Sequence, residues 1–121
     1  MAPVTTLRHG DVAVLLFDFS RTTSREEALA RIAAAEHAVA DHEPKPVLTV
    51  TDVTDAYIDS EVIRALGALA VSNRPHVKAA AVVGARGTAE EARQLVAGMS
   101  RRQFEAFGDL DAALEWLGRQ A

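Results

Sequence analysis

The sequence predicts an α/β protein with a central, mostly parallel sheet of four to five strands and about four helices. Three observations lead there. VLTVTDVTDAYIDS, residues 47–60, reads as a buried strand that runs out through a loop into a helix, and NRPHVKAAAVVG, residues 73–84, reads as a second such strand leading into its own exit loop. VAVLLFDF, residues 12–19, is apolar at nearly every position, so both of its faces must be covered, as in a central parallel strand. Helix-patterned segments follow each of these runs, and right-handed crossovers then place helices on both faces of the sheet.

Each element has its own local signal. VTTLR, residues 4–8, reads as a short edge strand, with the turn at residues 9–11 relying on Gly10 to take positive φ. The first helix starts at Ser24, where Thr23 with Glu26 and Ser24 with Glu27 are alternative capping boxes. Leu29, Ile32 and Val39 share one of its faces, and Pro44 and Pro46 stop it. The second core strand is VLTV, residues 47–50, followed by a helix capped by Asp59 or Ser60, with Val62, Leu66 and Leu69 in one stripe and Asn73 and Pro75 ending it. VKAAAVVG, residues 77–84, is the third core strand. Thr88 and Glu91 suggest a capping box, and Ala92, Leu95, Val96 and Met99 are expected to face inward. FEAF, residues 104–107, is a short strand expected to carry both aromatics on one side. Asp109 caps a last helix bearing Ala113, Leu114, Trp116 and Leu117, with Trp116 expected in the core.

The 121 residues suit one domain, 1–121, that buries roughly two-thirds of its unfolded surface. The absence of cysteine excludes disulfides, thiolate zinc sites and cysteine nucleophiles. The N-terminal residues show no secretory pattern and no apolar run approaches a membrane span, so a cytoplasmic protein without integral membrane association is expected. A net charge of −4, with no aromatics interleaved among the basic residues, disfavours a nucleic-acid partner.

The chemistry-bearing stretch is an acidic corner. Asp52, Thr54 and Asp55 follow the second core strand, Tyr57 sits on the loop, and Asp59, Ser60 and Glu61 enter the next helix. These residues gather near the carboxyl end of the sheet, where open α/β folds bind ligands. Carboxylates there can hold magnesium, cap loops and helices, or meet a partner. Tyr57 and Ile58 stand where an exposed anchor would serve a protein partner. Ser60 could carry a phosphate at a helix start, but Asp59 and Glu61 on either side would repel it, so it reads as a cap or first-turn residue. The four histidines are scattered, and Ser72 and Ser100 lack the elbow of a nucleophilic serine.

DFS at 18–20, TDVTDAYIDSEVI at 51–63, NRPHVKAAAVVG at 73–84 and FEAFGDLDAALEWL at 104–117 together resemble STAS domains, the anti-sigma factor antagonist fold, and most closely small bacterial STAS-like or CRAL-TRIO-like proteins. The resemblance implies a STAS-like fold over almost the whole chain and a role in protein interaction. In antagonist STAS domains a serine at this helix start is phosphorylated, within an Asp-Ser-Ser-Gly motif. Asp59 and Ser60 match its first two residues, Glu61 occupies the phosphoacceptor position and Val62 replaces the glycine, so the switch is not carried over. The CRAL-TRIO side implies a lipid or other apolar ligand, and Gly84, Arg86, Gly87 and Thr88 form either an anion nest or a tight turn with a cap. A response-regulator receiver shares the length and alternation, but FEAF is followed by Gly108 and Asp109 where that chemistry needs a lysine.

The sequence thus points to a non-enzymatic interaction module with a regulatory role, acting through residues 52–61, without metal or cofactor. The alternative is a binder or carrier of a small apolar ligand or lipid beneath the first and second helices. A homodimer is compatible with either reading, since symmetric pairing is common.

Overall fold

A computed structural model describes residues 2–121. The chain runs β1 (Val4–His9), β2 (Val12–Asp18), α1 (Arg25–Asp41), β3 (Val47–Asp52), α2 (Ser60–Asn73), a single 3-10 turn (Arg74–His76), β4 (Val77–Val83), α3 (Thr88–Ser100), β5 (Glu105–Phe107) and α4 (Leu110–Gly118). The five strands lie in sequential order, β1 antiparallel to β2 and the rest parallel, so the expected architecture is present. Gly10 takes φ +63° in the β1–β2 hairpin, as that turn requires.

Sequential order sends each crossover the same way. Ala28, Ile32, Ala35 and Val39 of α1, Val62 and Leu69 of α2 and Ala89 of α3 therefore share one core with Leu15, Phe17, Val47 and Val82 of the sheet. The opposite face, with Val14, Leu48, Val50, Ala81 and Val83, is covered by Ala113 and Leu117 of α4. Successive strand residues point to opposite faces, and both faces are buried, which explains the continuous apolar runs. The strand order never reverses, so there is no topological switch point to open a crevice.

The local signals mostly act where the sequence places them. Ser24 caps α1 by accepting from the Glu27 N–H (3.1 Å), and the Glu27 carboxylate accepts from the Thr23 N–H (2.8 Å), one residue before the cap. Asp59 and Asp109 cap α2 and α4, each accepting from the third residue onward at 2.8 Å. Trp116 packs on Phe107 with ring centroids 5.7 Å apart.

Four expectations are corrected. β3 continues through Thr51 and Asp52, which pair with Phe17 and Asp18 on one side and Val82 and Val83 on the other. Thr88 and Glu91 form no capping box: Gly87 occupies the cap without a side-chain bond, and Thr88 is already helical. Phe104 and Phe107 do not share a side. An odd separation sends them to opposite faces, Phe104 to the α1–α3 core and Phe107 to the α4 core. Leu95 and Met99 are not inward but about half exposed, at 54% and 51%. The buried stripe of α3 is Ala89, Ala92, Val96 and Ser100, because the helix leans on α2, where Met99 lies over Gly67.

Candidate functional site

The carboxyl ends of β2 and β3 form a stitched rim. Asp18 and Asp52 are register partners, and each closes a turn two residues on. The Asp52 carboxylate accepts from the Thr54 N–H (3.0 Å). That of Asp18 accepts from the Ser20 N–H (3.0 Å) and hydroxyl (2.5 Å). The two exit loops are then joined by the Phe19 N–H to the Asp52 carbonyl (3.0 Å) and the Arg21 N–H to the Thr54 carbonyl (2.9 Å). The buried Thr22 hydroxyl donates to the Phe19 carbonyl (3.1 Å) and accepts from the Tyr57 N–H (2.8 Å). Asp55, exposed, sits in the left-handed region at φ +53°, which a short polar side chain tolerates.

Asp59 organises the far end of the rim. One carboxylate oxygen takes the Val62 N–H, while the other takes the Arg25 Nε–H (2.8 Å) and the Tyr57 hydroxyl (2.9 Å). The Val62 N–H and the Arg25 and Tyr57 donors hold its pKa down at about 2, against burial. The same bond to Asp59 raises the pKa of Tyr57. Tyr57 and Ile58 are half-buried against the α1–α3 core, so the expected exposed anchor is absent there. Ser60 is the first helical residue and, like Glu61, is exposed; Glu61 pairs with Arg64 at 3.3 Å.

A pH dependence follows. Asp59 falls from an ordinary value of 3.8 to about 2 on folding, so its stabilising share is complete above pH 4 and is lost as the pH falls through about 2. Urea melts of the wild type and Asp59→Asn across that window are expected to converge at the acid end. A constant gap between the two proteins would show that Asp59 does not titrate in this way.

The candidate residues fall into two groups. Thr54 and Asp55 meet Gly84, Arg86 and Thr88 around an open cleft of about 660 Å³ between the exits of β3, β4 and β5. Thr54 and Asp55 of the acidic corner thus share one locus with the glycine turn, about 30 residues away in sequence. Thr54 packs directly on Gly84, which takes φ +78°. The Gly84 N–H donates to the Phe107 carbonyl (3.2 Å), extending the β4–β5 pairing, and the Gly87 carbonyl accepts the Glu91 N–H (3.1 Å) in the first turn of α3. Tyr57 and Asp59 form the second group, turned toward α1 through Arg25. Sequence reading missed Arg25, because its partner lies 34 positions away, and Thr22, which looks like any hydroxyl in a loop. Among the described residues, no three His, Asp or Glu side chains converge to hold a metal ion.

The apolar space lies elsewhere than expected. Beneath α1 and α2 the core is filled, with only about 10 Å³ free. A larger, partly open cavity, about 80 Å³, lies beneath α2 and α3, lined by Phe17, Leu69, Val82, Val96, Arg102 and Phe104 among others.

Fold and rim together define a STAS-like α/β module: a sheet with helices on both faces and a preorganised acidic edge after β3. A family model described as SpoIIAA-like matches residues 14–118, and the chain belongs to that family. Two solved structures are similar. One is an uncharacterised protein with a SpoIIAA-like fold from Shewanella loihica PV-4, 18% identical, with 94% of this chain and 91% of that one covered at a TM-score of 0.63. The other is an anti-sigma-factor antagonist (STAS) domain protein from Planctomyces limnophilus, 14% identical, with 97% and 99% covered at a TM-score of 0.66. At these identities the likeness is one of fold. No curated protein matches the chain. Domains of this fold generally serve regulation and protein interaction and are typically non-catalytic. No helix among the described residues is long and apolar enough to cross a membrane.

Proposed function

We propose that the chain is a non-catalytic regulatory module whose protein partner docks on the rim formed by residues 52–61. The observation that carries this reading is that Asp55 on the loop and Ser60 and Glu61 in the first turn of α2 are exposed on a segment whose bends are fixed by backbone N–H groups donating to Asp52, Thr22 and Asp59. A surface ordered before contact loses little conformational entropy on binding. Its carboxylates favour a basic partner surface and would speed its encounter at low salt.

A photo-crosslinking residue at Ser60 tests this, with the same residue at Glu115 on α4 as control. One dominant protein adduct is expected from Ser60 and none from Glu115. It should weaken in the Asp55→Asn/Glu61→Gln background, which keeps shape and removes charge. Equal labelling from both positions would remove the proposal, and a dominant adduct between two copies of this chain would make the rim a homodimer contact.

A second reading, a binder of a small apolar ligand, is favoured by the cavity beneath α2 and α3.

A further inference from the structure

The cavity beneath α2 and α3 carries a charge that its apolar walls do not explain. Arg102 lines it, half-buried, with its guanidinium stacked 4.9 Å over the Phe104 ring. Its Nη1 donates to the Ala70 carbonyl (2.8 Å) and to the Asn73 side-chain oxygen, at the C-terminal end of α2. Among the described residues it has no carboxylate partner. Arg93, which also lines the cavity, is by contrast neutralised by Glu90 through bonds of 2.6 and 2.8 Å. Burial disfavours its protonated guanidinium, and Arg74, a charge of like sign, adds to that effect. The Ala70 carbonyl, the Asn73 oxygen and the Phe104 ring meet part of this charge, and an anion would meet the rest.

The geometry points to the anion's chemistry. With Nη1 engaged, Nε and Nη2 have no acceptor among the described residues. That edge of a guanidinium is a planar two-donor fork that matches a carboxylate. The adjoining cavity, about 80 Å³, is roughly half the ~150 Å³ apolar cavity that takes up benzene. It suits a tail of a few carbons rather than a long acyl chain. We infer that this cavity binds a short-chain aliphatic monocarboxylate, its tail against Phe17, Val82 and Val96 and its carboxylate on the Nε–Nη2 edge of Arg102. The inference rests on the second reading above and is independent of the rim.

Butanoate, n-butanol and n-butylamine, titrated into the ¹⁵N-labelled chain and followed by amide shifts, separate the possibilities. Butanoate is expected to shift residues of α2, α3 and β4 saturably, to bind roughly tenfold or more tighter than the alcohol, and to lose that advantage in Arg102→Gln. The amine should not bind. Ala92→Val, which narrows the cavity without touching the charge, should weaken acid and alcohol alike and keeps the test decisive if Arg102→Gln folds poorly. Equal binding of acid and alcohol would leave an apolar cavity and overturn the carboxylate site. No binding of any of the three at millimolar concentration would overturn both.

Discussion

Gly84→Ala is expected to destabilise the fold by about 3 kcal/mol, from two sources that can be separated. The first is backbone conformation. Gly84 sits at φ +78°, and a side chain in the left-handed region costs roughly 1–2 kcal/mol. The second is collision. A Cβ at position 84 would fall on the Thr54 hydroxyl, 3.0 Å from its Cβ and 3.1 Å from its Cα. The hydroxyl could swing away, but the Cβ and Cα cannot, because the Thr54 backbone is held to the rim by its N–H donating to Asp52 and its carbonyl accepting from the Arg21 N–H. Overpacking of this kind costs roughly 1–3 kcal/mol more. Gly10→Ala isolates the first source. It has the same hand, φ +63°, and nothing within 4 Å of the new methyl, so about 1 kcal/mol is expected. Thr54→Gly isolates the second: combined with Gly84→Ala it should restore about 1 kcal/mol, read as a coupling energy from urea melts of the four proteins. An additive cycle would show that Thr54 does not rest on Gly84. Since both residues line the cleft after β3, the same substitution should shift the amide signals of residues 53–56.

That contact marks a boundary in what the sequence makes legible. Signals that act within a turn or two were readable because their partners are nearby. Ser24, Asp59 and Asp109 each cap the helix that follows, and the apolar runs of β2, β3 and β4 reflect burial on both faces. The acidic corner was legible as a place but not as an arrangement. Nothing near Asp59 indicates that Arg25 will cross 34 positions to meet it, or that Tyr57 will turn its ring inward and its hydroxyl to that carboxylate. Nor does the sequence show that Thr54 will lean on Gly84. The phase of α3 failed for a related reason. Its period admits neighbouring stripes, and the choice among them is made by the helix beside it. The opposite facing of Phe104 and Phe107 was legible from parity alone once the segment is taken as a strand.

The stripe that α3 does bury leads to the second large expectation. Leu117→Ala should cost about 3 kcal/mol, within the roughly 2–5 kcal/mol range for a large buried aliphatic truncated to alanine, whereas Leu95→Ala should stay within about 0.5 kcal/mol of the wild type and Met99→Ala, which uncovers Gly67, should cost about 1 kcal/mol. Leu117 is fully buried, while Leu95 and Met99 are half exposed. Hydropathy alone ranks the three alike, so the contrast tests placement rather than composition. It also tests how the two faces of the sheet are held. Three helices contribute to the core on one face, and the helical residues of the other core come from α4 alone. In that core Leu117 packs with Val14, Val50, Ala81 and Val83, and a truncation there has few neighbours able to move in and fill the void. Comparable losses at Leu95 and Leu117 in chemical melts would mean that α3 buries the stripe its apolar pattern suggests. The cavity beneath α2 and α3, whose Val96 wall depends on the observed phase, would then have to be redrawn along with the helix.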